Sequence, residues 1–442
     1  MPKKIETAVE GVMKFFRIDE GWGFIEREGA VDAFVHARNL ECTPPYEGER
    51  VIFDVAKCTS PGHDHEAIGV RRQRTTRQTG DILEWRVEPG TWRSIGWIAP
   101  HNGGDVVQFS ARDLKDQPGR ARPKPRPWHA ASYVAVETRS GPRAADIELD
   151  TRYPLQRFAY LGLEEDMIRQ LQDIALPENW NYRRGTPAKP LPILYNYIHF
   201  TFAKLWDEDR DRPVGQKKIR VRDDLDTPLA AFNTGLVDKK YKSVYALFEG
   251  GDVGRTHRWT FRAFCIPGEG HGKLLASYFN PLPTSAEYFH STAELLYDPA
   301  RPLHPDYTHI LTHNLDRLPK ELLDQVAGRH ESMGMRTLTM HLDEAIGVAK
   351  KRARWNYRTA IPHYFPSFKR LEFLLPLCLL RDSQVDVALS VQKTDTGYLG
   401  NTVLPLDWAY KSARLVCRPD SDWLAPHQID EGKEDGGEDE MA

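Results

Sequence analysis

The aromatic residues near the start of this sequence are the side chains whose types and spacing could do chemistry. Trp22 and Phe24 stand two residues apart in the segment Gly-Trp-Gly-Phe-Ile, and Phe34 and His36 stand two apart in Phe-Val-His. Residues i and i+2 of a β-strand point to the same face, so each pair would hold two rings side by side. Solvent-facing rings of this size are unusual unless they contact a ligand, and nucleobases stack on them with about 1–3 kcal/mol per base. The spacing therefore predicts a platform for single-stranded nucleic acid.

The elements that must position these rings are short. Residues 10–70 alternate between apolar and polar types, and turn signals such as Glu20-Gly21, Pro44-Pro45 and Pro61-Gly62 separate the segments. Several short strands closed by such turns predict a small β-barrel. An arginine-rich connector follows over residues 71–77, with the linker assigned to 73–79, and we expect its charges to lie along a phosphate backbone. These candidates are Arg71, Arg72, Arg74 and Arg77.

A second copy of the same pattern of short strands and turns begins at Gly80 and extends to residue 150. Glu84 stands where the first copy has Phe15, and Ile95 stands where it has Trp22. The copy keeps apolar positions that would form a core and loses rings. We therefore expect a structural repeat with the same barrel fold and no second stacking surface.

The spacing of apolar residues changes after residue 150. Apolar residues at helical spacing alternate with strand-like apolar runs, and the segment of 151–426 is long enough to bury its own core. We predict an α+β domain there and a disordered acidic tail at 427–442. The predicted helices are 163–176, 193–206, 338–351 and 406–415, and the predicted strands are 243–249, 258–266, 371–380 and 385–392.

Residues 10–72 resemble the bacterial cold-shock domain, a five-stranded oligonucleotide-binding barrel. The resemblance rests on both ring-bearing strands and on the preceding Lys-Phe-Phe segment, and it implies binding of single-stranded nucleic acid. Two positions depart from the family, since Glu20 replaces a lysine and Ala37 replaces an aromatic residue. Both departures should weaken binding. The positions that match the family's nucleic-acid face are Lys14, Phe15, Trp22, Phe24, Phe34 and His36.

Residues from about 155 to 424 resemble a bacterial family known as domain of unknown function 3825. The resemblance is carried by segments such as 193–197, 231–236, 309–314 and 374–378. This family implies no particular reaction. The expected architecture is therefore multidomain, with a cold-shock barrel at 1–72, a degenerate barrel at 80–150 and an α+β domain.

Composition limits the class of protein. Hydrophobic residues make up 40% and charged residues 28% of the chain, which is ordinary for a soluble globular protein. No apolar run reaches the roughly 18–20 residues that a membrane helix needs. The five cysteines are scattered without a CxxC pair, which predicts a cytoplasmic protein without a disulfide framework.

Polar residues of the large domain could line a cleft. His309 and His313 have the i,i+4 spacing that puts two imidazoles on one helix face, but no third metal ligand follows from the spacing, so a structural role is favoured and no metal or cofactor is expected. Phosphate-binding and hydrolase motifs are absent from the sequence, and no catalytic residue can be named. The candidate cleft residues are Asn233, His309, His313, Asn314, Arg317 and Arg354.

Three functional hypotheses remain open at this point. The first is a protein that binds single-stranded RNA, which is favoured, or DNA, through the aromatic platform, with a large domain that recognises or acts on the ligand. The second is an RNA- or nucleotide-processing enzyme with its catalytic residues in the large domain. The third is a scaffold that binds another protein.

Overall fold

The structure is a computed structural model that describes residues 4–58, 63–73, 76–87, 93–116, 123–138, 141–181, 190–251, 257–327, 331–420 and 423–424. It divides into two compact units, Met1–Arg152 and Tyr153–Ala442, each described by itself below. The predicted acidic tail and Arg74 lie outside the described residues.

The first unit begins with a closed five-stranded barrel in the order β1-β2-β3-β5-β4. Alternation along these strands sends Met13, Ile25 and Val35 to the interior, where each is fully buried. The same alternation leaves Trp22, Phe24 and Phe34 on the outside of the barrel, and a register shift in β1 between Met13 and Phe15 brings Phe15 to that side as well. The strands are β1 (Lys4–Arg17), β2 (Trp22–Glu26), β3 (Ala33–His36), β4 (Arg50–Lys57) and β5 (His65–Arg72).

A second closed barrel follows in the order β10-β8-β7-β6-β9. It repeats the connectivity of the first, including a parallel contact between its third and fifth strands. The prediction of two oligonucleotide-binding-type barrels is confirmed. The strands are β6 (Arg77–Val87), β7 (Ser94–Pro100), β8 (Val107–Phe109), β9 (Ala130–Thr138) and β10 (Gly141–Asp150).

A glycine at the centre of the second strand is required in both barrels. A Cβ atom on Gly23 would lie 2.2 Å from the backbone oxygen of Phe15, and one on Gly96 would lie 2.4 Å from the ring of Phe109. Both distances are far inside van der Waals contact, so a side chain at either position would push the strands apart. This explains why Trp-Gly-Phe in the first copy is matched by Ile-Gly-Trp in the second.

The two barrels are joined by a buried ionic cluster. Arg72, at the end of β5, pairs with Glu49 at 2.7 Å and with Asp146 of β10 at 2.7 Å. Asp146 also accepts a hydrogen bond from the backbone N–H of Thr43 at 2.6 Å. A second contact joins the Tyr46 hydroxyl to the Asp113 carboxylate at 2.8 Å. Buried charges are stable only when paired, so these contacts fix one barrel against the other.

The second unit contains two five-stranded sheets that share one topology. The first sheet has the order β11-β15-β14-β13-β12, with its outer strand β11 parallel to β15 and the others antiparallel. Its elements are α1 (Pro154–Phe158), β11 (Ala159–Tyr160), α2 (Glu164–Ile174), α3 (Pro192–Glu208), β12 (Arg220–Arg222), β13 (Leu229–Val237), β14 (Ser243–Gly250), β15 (Trp259–Cys265) and α4 (Gly272–Tyr278).

The second sheet has the order β16-β20-β19-β18-β17, again with a parallel outer strand followed by an antiparallel meander. Helices again lie between the first two strands and after the last strand, so the unit is a tandem repeat of one fold. Its elements are β16 (Leu303–Pro305), α5 (Tyr307–His313), α6 (Lys320–Val326), α7 (Glu331–Trp355), β17 (Ile361–Phe365), β18 (Arg370–Leu377), β19 (Val387–Lys393), β20 (Tyr398–Pro405) and α8 (Leu406–Val416).

Seven of the eight predicted helices and strands of the large domain agree with these elements within three residues at each end, whereas the predicted helix 338–351 is only the central part of α7, which begins at Glu331. The α+β class is confirmed. α7 packs its apolar side, including Leu338, Leu342 and Ala349, against one face of the second sheet. Among the described residues, no helix combines the length and apolar character that crossing a membrane requires.

Candidate nucleic-acid interface

Four aromatic rings from three adjacent strands form a continuous surface on the first barrel. Phe15 of β1 lies opposite Phe24 of β2, and Phe24 lies opposite Phe34 of β3. Trp22 is the fourth ring, and neighbouring ring centroids lie 5.7 to 6.4 Å apart. The contacts are mostly edge-to-face or tilted, so successive rings expose different parts of their π-faces. We call these four rings the aromatic platform.

The exposure of the platform rings is uneven. Phe15, Trp22 and Phe24 are half-buried, whereas Phe34 has an exposed fraction of only 9%. His63 explains the difference, because its ring lies on Phe34 with centroids 4.7 Å apart and planes 7° apart. Sequence reasoning missed this contact, because His63 precedes β5 and reaches the platform only when the barrel closes.

Glu20 orients Trp22. The Glu20 carboxylate accepts a hydrogen bond from the indole N–H of Trp22 at 2.8 Å and from the guanidinium of Arg17 at 3.0 Å. Arg17 in turn lies over the Trp22 ring, 4.8 Å from its centroid. The acidic residue therefore has a positioning role in addition to the unfavourable charge that the sequence predicts.

The remaining polar residues of the predicted face are partly engaged by neighbours. Lys14 forms an exposed ion pair with Asp32 at 2.9 Å, which raises the pKa of Lys14 through a hydrogen bond and charge attraction. The Nδ1 atom of His36 accepts a hydrogen bond from the backbone N–H of Arg38 at 3.2 Å. Lys14 belongs to β1 and His36 ends β3, the strands that carry Phe15 and Phe34.

The arginines that follow the first barrel divide into different roles. Arg71 is exposed and can reach a phosphate. Arg72 is 3% exposed and is held by Glu49 and Asp146, which corrects the expectation that it contacts phosphate. Arg71 is exposed while Arg72 is buried because successive residues of a strand point to opposite faces.

Arg77 of β6 forms hydrogen bonds with β9 and β10 of the second barrel. Its guanidinium donates hydrogen bonds to the hydroxyl and backbone oxygens of Ser132, at 2.8 and 2.6 Å, and to the backbone oxygen of Asp146 at 3.0 Å. These bonds hold it along the second barrel. Arg71 and Arg77 are thus both exposed, but the hydrogen bonds of Arg77 hold its guanidinium against the second barrel.

The second barrel retains one ring of the platform. The register places Trp97 opposite Glu84, as it places Phe24 opposite Phe15 in the first barrel. Trp97 is half-buried, and the guanidinium of Arg86 lies 4.9 Å from its ring centroid. This pair repeats the arrangement of Arg17 over Trp22. Trp97 follows Gly96 as Phe24 follows Gly23, so the sequence already contained this signal. The expectation of a structural repeat that loses most rings stays a prediction.

The cleft predicted in the large domain does not form as a single group. Asn233 lies on β13 of the first sheet, where its side chain accepts a hydrogen bond from the backbone N–H of Gly235 at 2.9 Å. The φ angle of Gly235 is 75°, and the register of β13 with β14 shifts between Asn233 and Val237, so this pair shapes an irregularity within the strand. The other candidates belong to the second half of the unit.

The other candidate residues make separate local contacts. His309 and His313 share one side of α5, with ring centroids 5.3 Å apart. Asn314 donates a hydrogen bond to the backbone oxygen of His309 at 3.3 Å, and Arg317 donates one to the hydroxyl of Thr402 at 3.0 Å. Arg354 is exposed at the end of α7. No group of three or more potential metal-ligating side chains converges in the part of the chain that the structure describes.

Comparisons with known proteins agree with this division of the chain. A family model described as "Domain of unknown function (DUF3825)" matches residues 171–423, more than half of the chain. Cold shock protein CspC of Bacillus subtilis (strain 168) is 41% identical over 49 residues, which cover 10% of this chain and 74% of that protein.

Two solved structures were also compared. A Drosophila structure described as Unr CSD456 covers 60% of this chain and 98% of its own, with 11% identity and a TM-score of 0.21. The apo form of Mycoplasma genitalium RNase R covers 55% of this chain and 34% of its own, with 12% identity and a TM-score of 0.16. These scores are too low to support an argument, so the fold assignment rests on the strand pairing described above.

Proposed function

The chain belongs to the DUF3825 family and its first barrel to the cold-shock proteins, and we propose that it binds single-stranded nucleic acid, with RNA as the preferred ligand. The observation that carries this proposal is the aromatic platform, in which Phe15, Trp22, Phe24 and Phe34 lie on three adjacent strands. Single-stranded RNA offers unstacked bases to such rings. Successive bases would stack on the exposed parts of the platform.

Stacking supplies most of the affinity in this proposal. Lys14 is paired with Asp32, and Arg17 with Glu20, so few cationic groups near the platform are available for phosphates. Binding governed by phosphate contacts weakens steeply with salt, with a slope near −0.7 per contact for single strands. We therefore expect a shallow salt dependence, with Arg71 as the main contributor.

The second barrel extends the binding surface in this proposal. Trp97 and Arg86 offer one further ring with a cation above it, and the Arg72 cluster fixes this ring relative to the platform. A strand long enough to reach both barrels would bind more tightly than a short one, because the second contact becomes intramolecular. The larger unit is proposed to recognise or act on the strand that the barrels hold.

The test is a titration of the full chain with a fluorescently labelled single-stranded RNA of about 16 nucleotides, a length near the upper limit for one such barrel. The variant Trp22→Ala, Phe24→Ala should lose at least about 30-fold in affinity, since each ring supplies about 1–3 kcal/mol. Tyr241→Ala is the matched control, because Tyr241 is a 75% exposed ring in the other unit. Equal affinity of the double variant and the control would refute the proposal.

Two further titrations refine the result. The DNA of the same sequence should bind more weakly than the RNA, and equal binding would remove the preference for RNA while leaving the stacking proposal intact. Trp97→Ala should weaken binding of the long strand by roughly fivefold or more and leave a strand of about six nucleotides unaffected. An unchanged affinity for the long strand would remove the second barrel from the binding surface.

A further inference from the structure

Two exposed aromatic rings lie at the end of α7. Trp355 is the last residue of the helix, and its exposed fraction of 92% is the largest among the large apolar side chains that the structure describes. Tyr357, two residues later, is 65% exposed. No ring or cation of the described residues packs on either of them. Tryptophan is on average a highly buried residue type, so this pair of rings indicates a surface that meets a ligand.

Two exposed cations lie next to Trp355 on the surface of the helix. Lys351 precedes Arg354 by three residues and Trp355 by four, and side chains at these spacings are neighbours on a helix. Both cations are exposed, and neither forms an ion pair within the part of the chain that the structure describes. The closest acidic residue of α7 is Glu344, about 10 Å before Lys351 along the helix axis. Their positive charge is therefore available to a ligand.

The carboxylates that other elements bring to this end of the helix contact different groups. Asp420 lies 3.6 Å from the guanidinium of Arg358. Arg352 is on another side of α7, where its guanidinium contacts the sulfur of Cys378 at 3.6 Å. Asp386, which lies near that sulfur, accepts two hydrogen bonds from backbone N–H groups at 2.6 and 3.0 Å. These carboxylates therefore leave the two cations beside Trp355 unpaired.

The backbone that carries the two rings is fixed by hydrogen bonds. The N–H of Asn356 donates to the backbone oxygen of Arg352 at 2.9 Å, and its side chain accepts from the N–H of Arg358 at 3.0 Å. The buried Thr359 donates its hydroxyl to the same oxygen of Arg352 at 3.2 Å. Its backbone oxygen accepts a hydrogen bond from the indole of Trp423 at 2.8 Å. A ligand would therefore meet a surface whose backbone is already ordered, which lowers the cost of binding.

Stabilisation of the helix explains the cations but not the rings. Basic side chains in the last turn complement the negative end of the helix dipole, and this effect needs no aromatic residue. An interface with another protein would place apolar side chains around the rings, whereas their exposed neighbours are charged or polar. Flat rings beside unpaired cations are the combination that binds single strands, because bases stack on the rings and phosphates contact the cations. The exposed neighbours are Lys351, Arg354, Asn356 and Arg358.

We propose that the end of α7 binds single-stranded RNA, with bases stacked on Trp355 and Tyr357 and phosphates at Lys351 and Arg354. We call these four residues the α7 surface. The proposal rests on the proposed function and deepens it, because it names the surface through which the second unit recognises the strand. Its two unpaired cations make phosphate contacts more important here than at the aromatic platform.

The experiment titrates a fluorescently labelled single-stranded RNA of about six nucleotides with the full chain carrying Trp22→Ala, Phe24→Ala, in which stacking at the platform is lost. Binding should persist and weaken with salt, with a slope of log affinity against log salt of about −1.4 or steeper for two phosphate contacts. Adding Lys351→Gln, Arg354→Gln should make the slope shallower by about 1.4 and lower the affinity about tenfold or more at roughly 0.1 M salt. An unchanged slope would overturn the proposal.

Variants of Trp355 test stacking separately from charge. Trp355→Phe keeps a flat ring and should bind the RNA within about twofold of the parent chain. Trp355→Leu keeps an apolar side chain without a ring and should lose about fivefold or more in affinity, with the salt slope unchanged. Neither change should disturb folding, because the side chain is 92% exposed. Equal affinities of the two variants would overturn the assignment of stacking to this ring.

Matched controls come from the same helix. Arg336→Gln removes an exposed cation and Met340→Ala removes a 67% exposed apolar side chain, both about four or more turns before Trp355. Both should bind RNA like the parent chain, and equal affinities of these controls and the α7-surface variants would overturn the proposal. Removal of residues 427–442, which contain seven carboxylates, should leave the effects of the variants in place. Effects that appear only after this removal would assign the surface to the acidic segment instead of RNA.

The same titrations separate failure at the platform from failure at the α7 surface. Lys351→Gln, Arg354→Gln and Trp355→Leu are also measured in the chain with an intact platform, beside Trp22→Ala, Phe24→Ala alone. Weaker binding by the α7-surface variants, with the platform variant unchanged, would refute the platform and support the α7 surface. The opposite result would support the platform and overturn this inference. Unchanged binding by both sets would refute both.

Discussion

His63 lies flat against Phe34, with their ring centroids 4.7 Å apart and their planes 7° apart. The histidine therefore covers the face of Phe34 on which a nucleobase would stack. It also meets Phe24 edge to face at 5.2 Å. One part of the aromatic platform is thus occupied by a side chain of the protein itself.

We expect His63→Ala to strengthen RNA binding by roughly threefold, because a base no longer has to displace the imidazole before stacking on Phe34. A titration at constant salt and pH measures the change. Weaker binding of the variant would show instead that the imidazole is itself a stacking ring.

Two variants of Glu20 separate its charge from its hydrogen bond to Trp22. Glu20→Gln keeps an oxygen that can accept the hydrogen bond from the Trp22 indole and removes a negative charge, so RNA should bind more tightly. Glu20→Ala removes that acceptor as well and releases Trp22 and Arg17. Its affinity should fall below that of Glu20→Gln. If both variants gain equally, charge alone governs this position.

The ionic cluster between the barrels should respond strongly to loss of one member. Arg72→Met leaves Glu49 and Asp146 buried without their cation and should lower the free energy of unfolding by about 3–5 kcal/mol. The triple variant Glu49→Gln, Arg72→Met, Asp146→Asn removes all three charges and should cost less than the single change. Urea unfolding followed by tryptophan fluorescence measures both, and a triple variant less stable than the single one would contradict this account.

A buried histidine predicts how stability depends on pH. His363 contacts the Ser390 hydroxyl at 2.8 Å, Ser390 donates to Glu372, and all three are fully or almost fully buried. Burial lowers the pKa of His363 from 6.5 to about 4, an effect that nearby Arg370 reinforces and Glu372 opposes. Between pH 6.5 and pH 4, His363 is therefore protonated in the unfolded chain and neutral in the folded chain.

The contribution of His363 to stability is complete above pH 6.5 and is lost as the pH falls from 6.5 to 4. Between pH 7 and pH 5 this amounts to about 2 kcal/mol. His363→Gln should remove most of that difference, as measured by urea unfolding at the two values. An unchanged difference would assign the pH dependence to other groups.

Alternation along strands was enough to locate the aromatic platform from the sequence. The interior positions Ile25 and Val35 alternate with the ring positions of β2 and β3. In β1, Met13 and Phe15 reach opposite faces only through a register shift between them, which alternation does not predict. The same alternation separates exposed Arg71 from buried Arg72. It could not be applied in advance, because the sequence does not show where β5 ends within the run of arginines.

Contacts made by residues far apart in the chain could not be predicted. His63 meets Phe34 through barrel closure, and Lys369 meets Asp207 across 162 positions. The repeated sheet topology of the second unit was also not predicted. Its two halves share a strand order, but no sequence similarity between them is evident. Periodicity identifies elements, whereas long-range contacts depend on how those elements pack.

Photo-crosslinking of the full chain to single-stranded RNA containing 4-thiouridine, followed by mass spectrometry of the linked peptides, tests the central claim most directly. The account predicts that the principal crosslinks fall on peptides containing Phe15, Trp22 and Phe24, with a weaker set at Trp97. Crosslinks confined to the second unit, with none in residues 11–36, would contradict it.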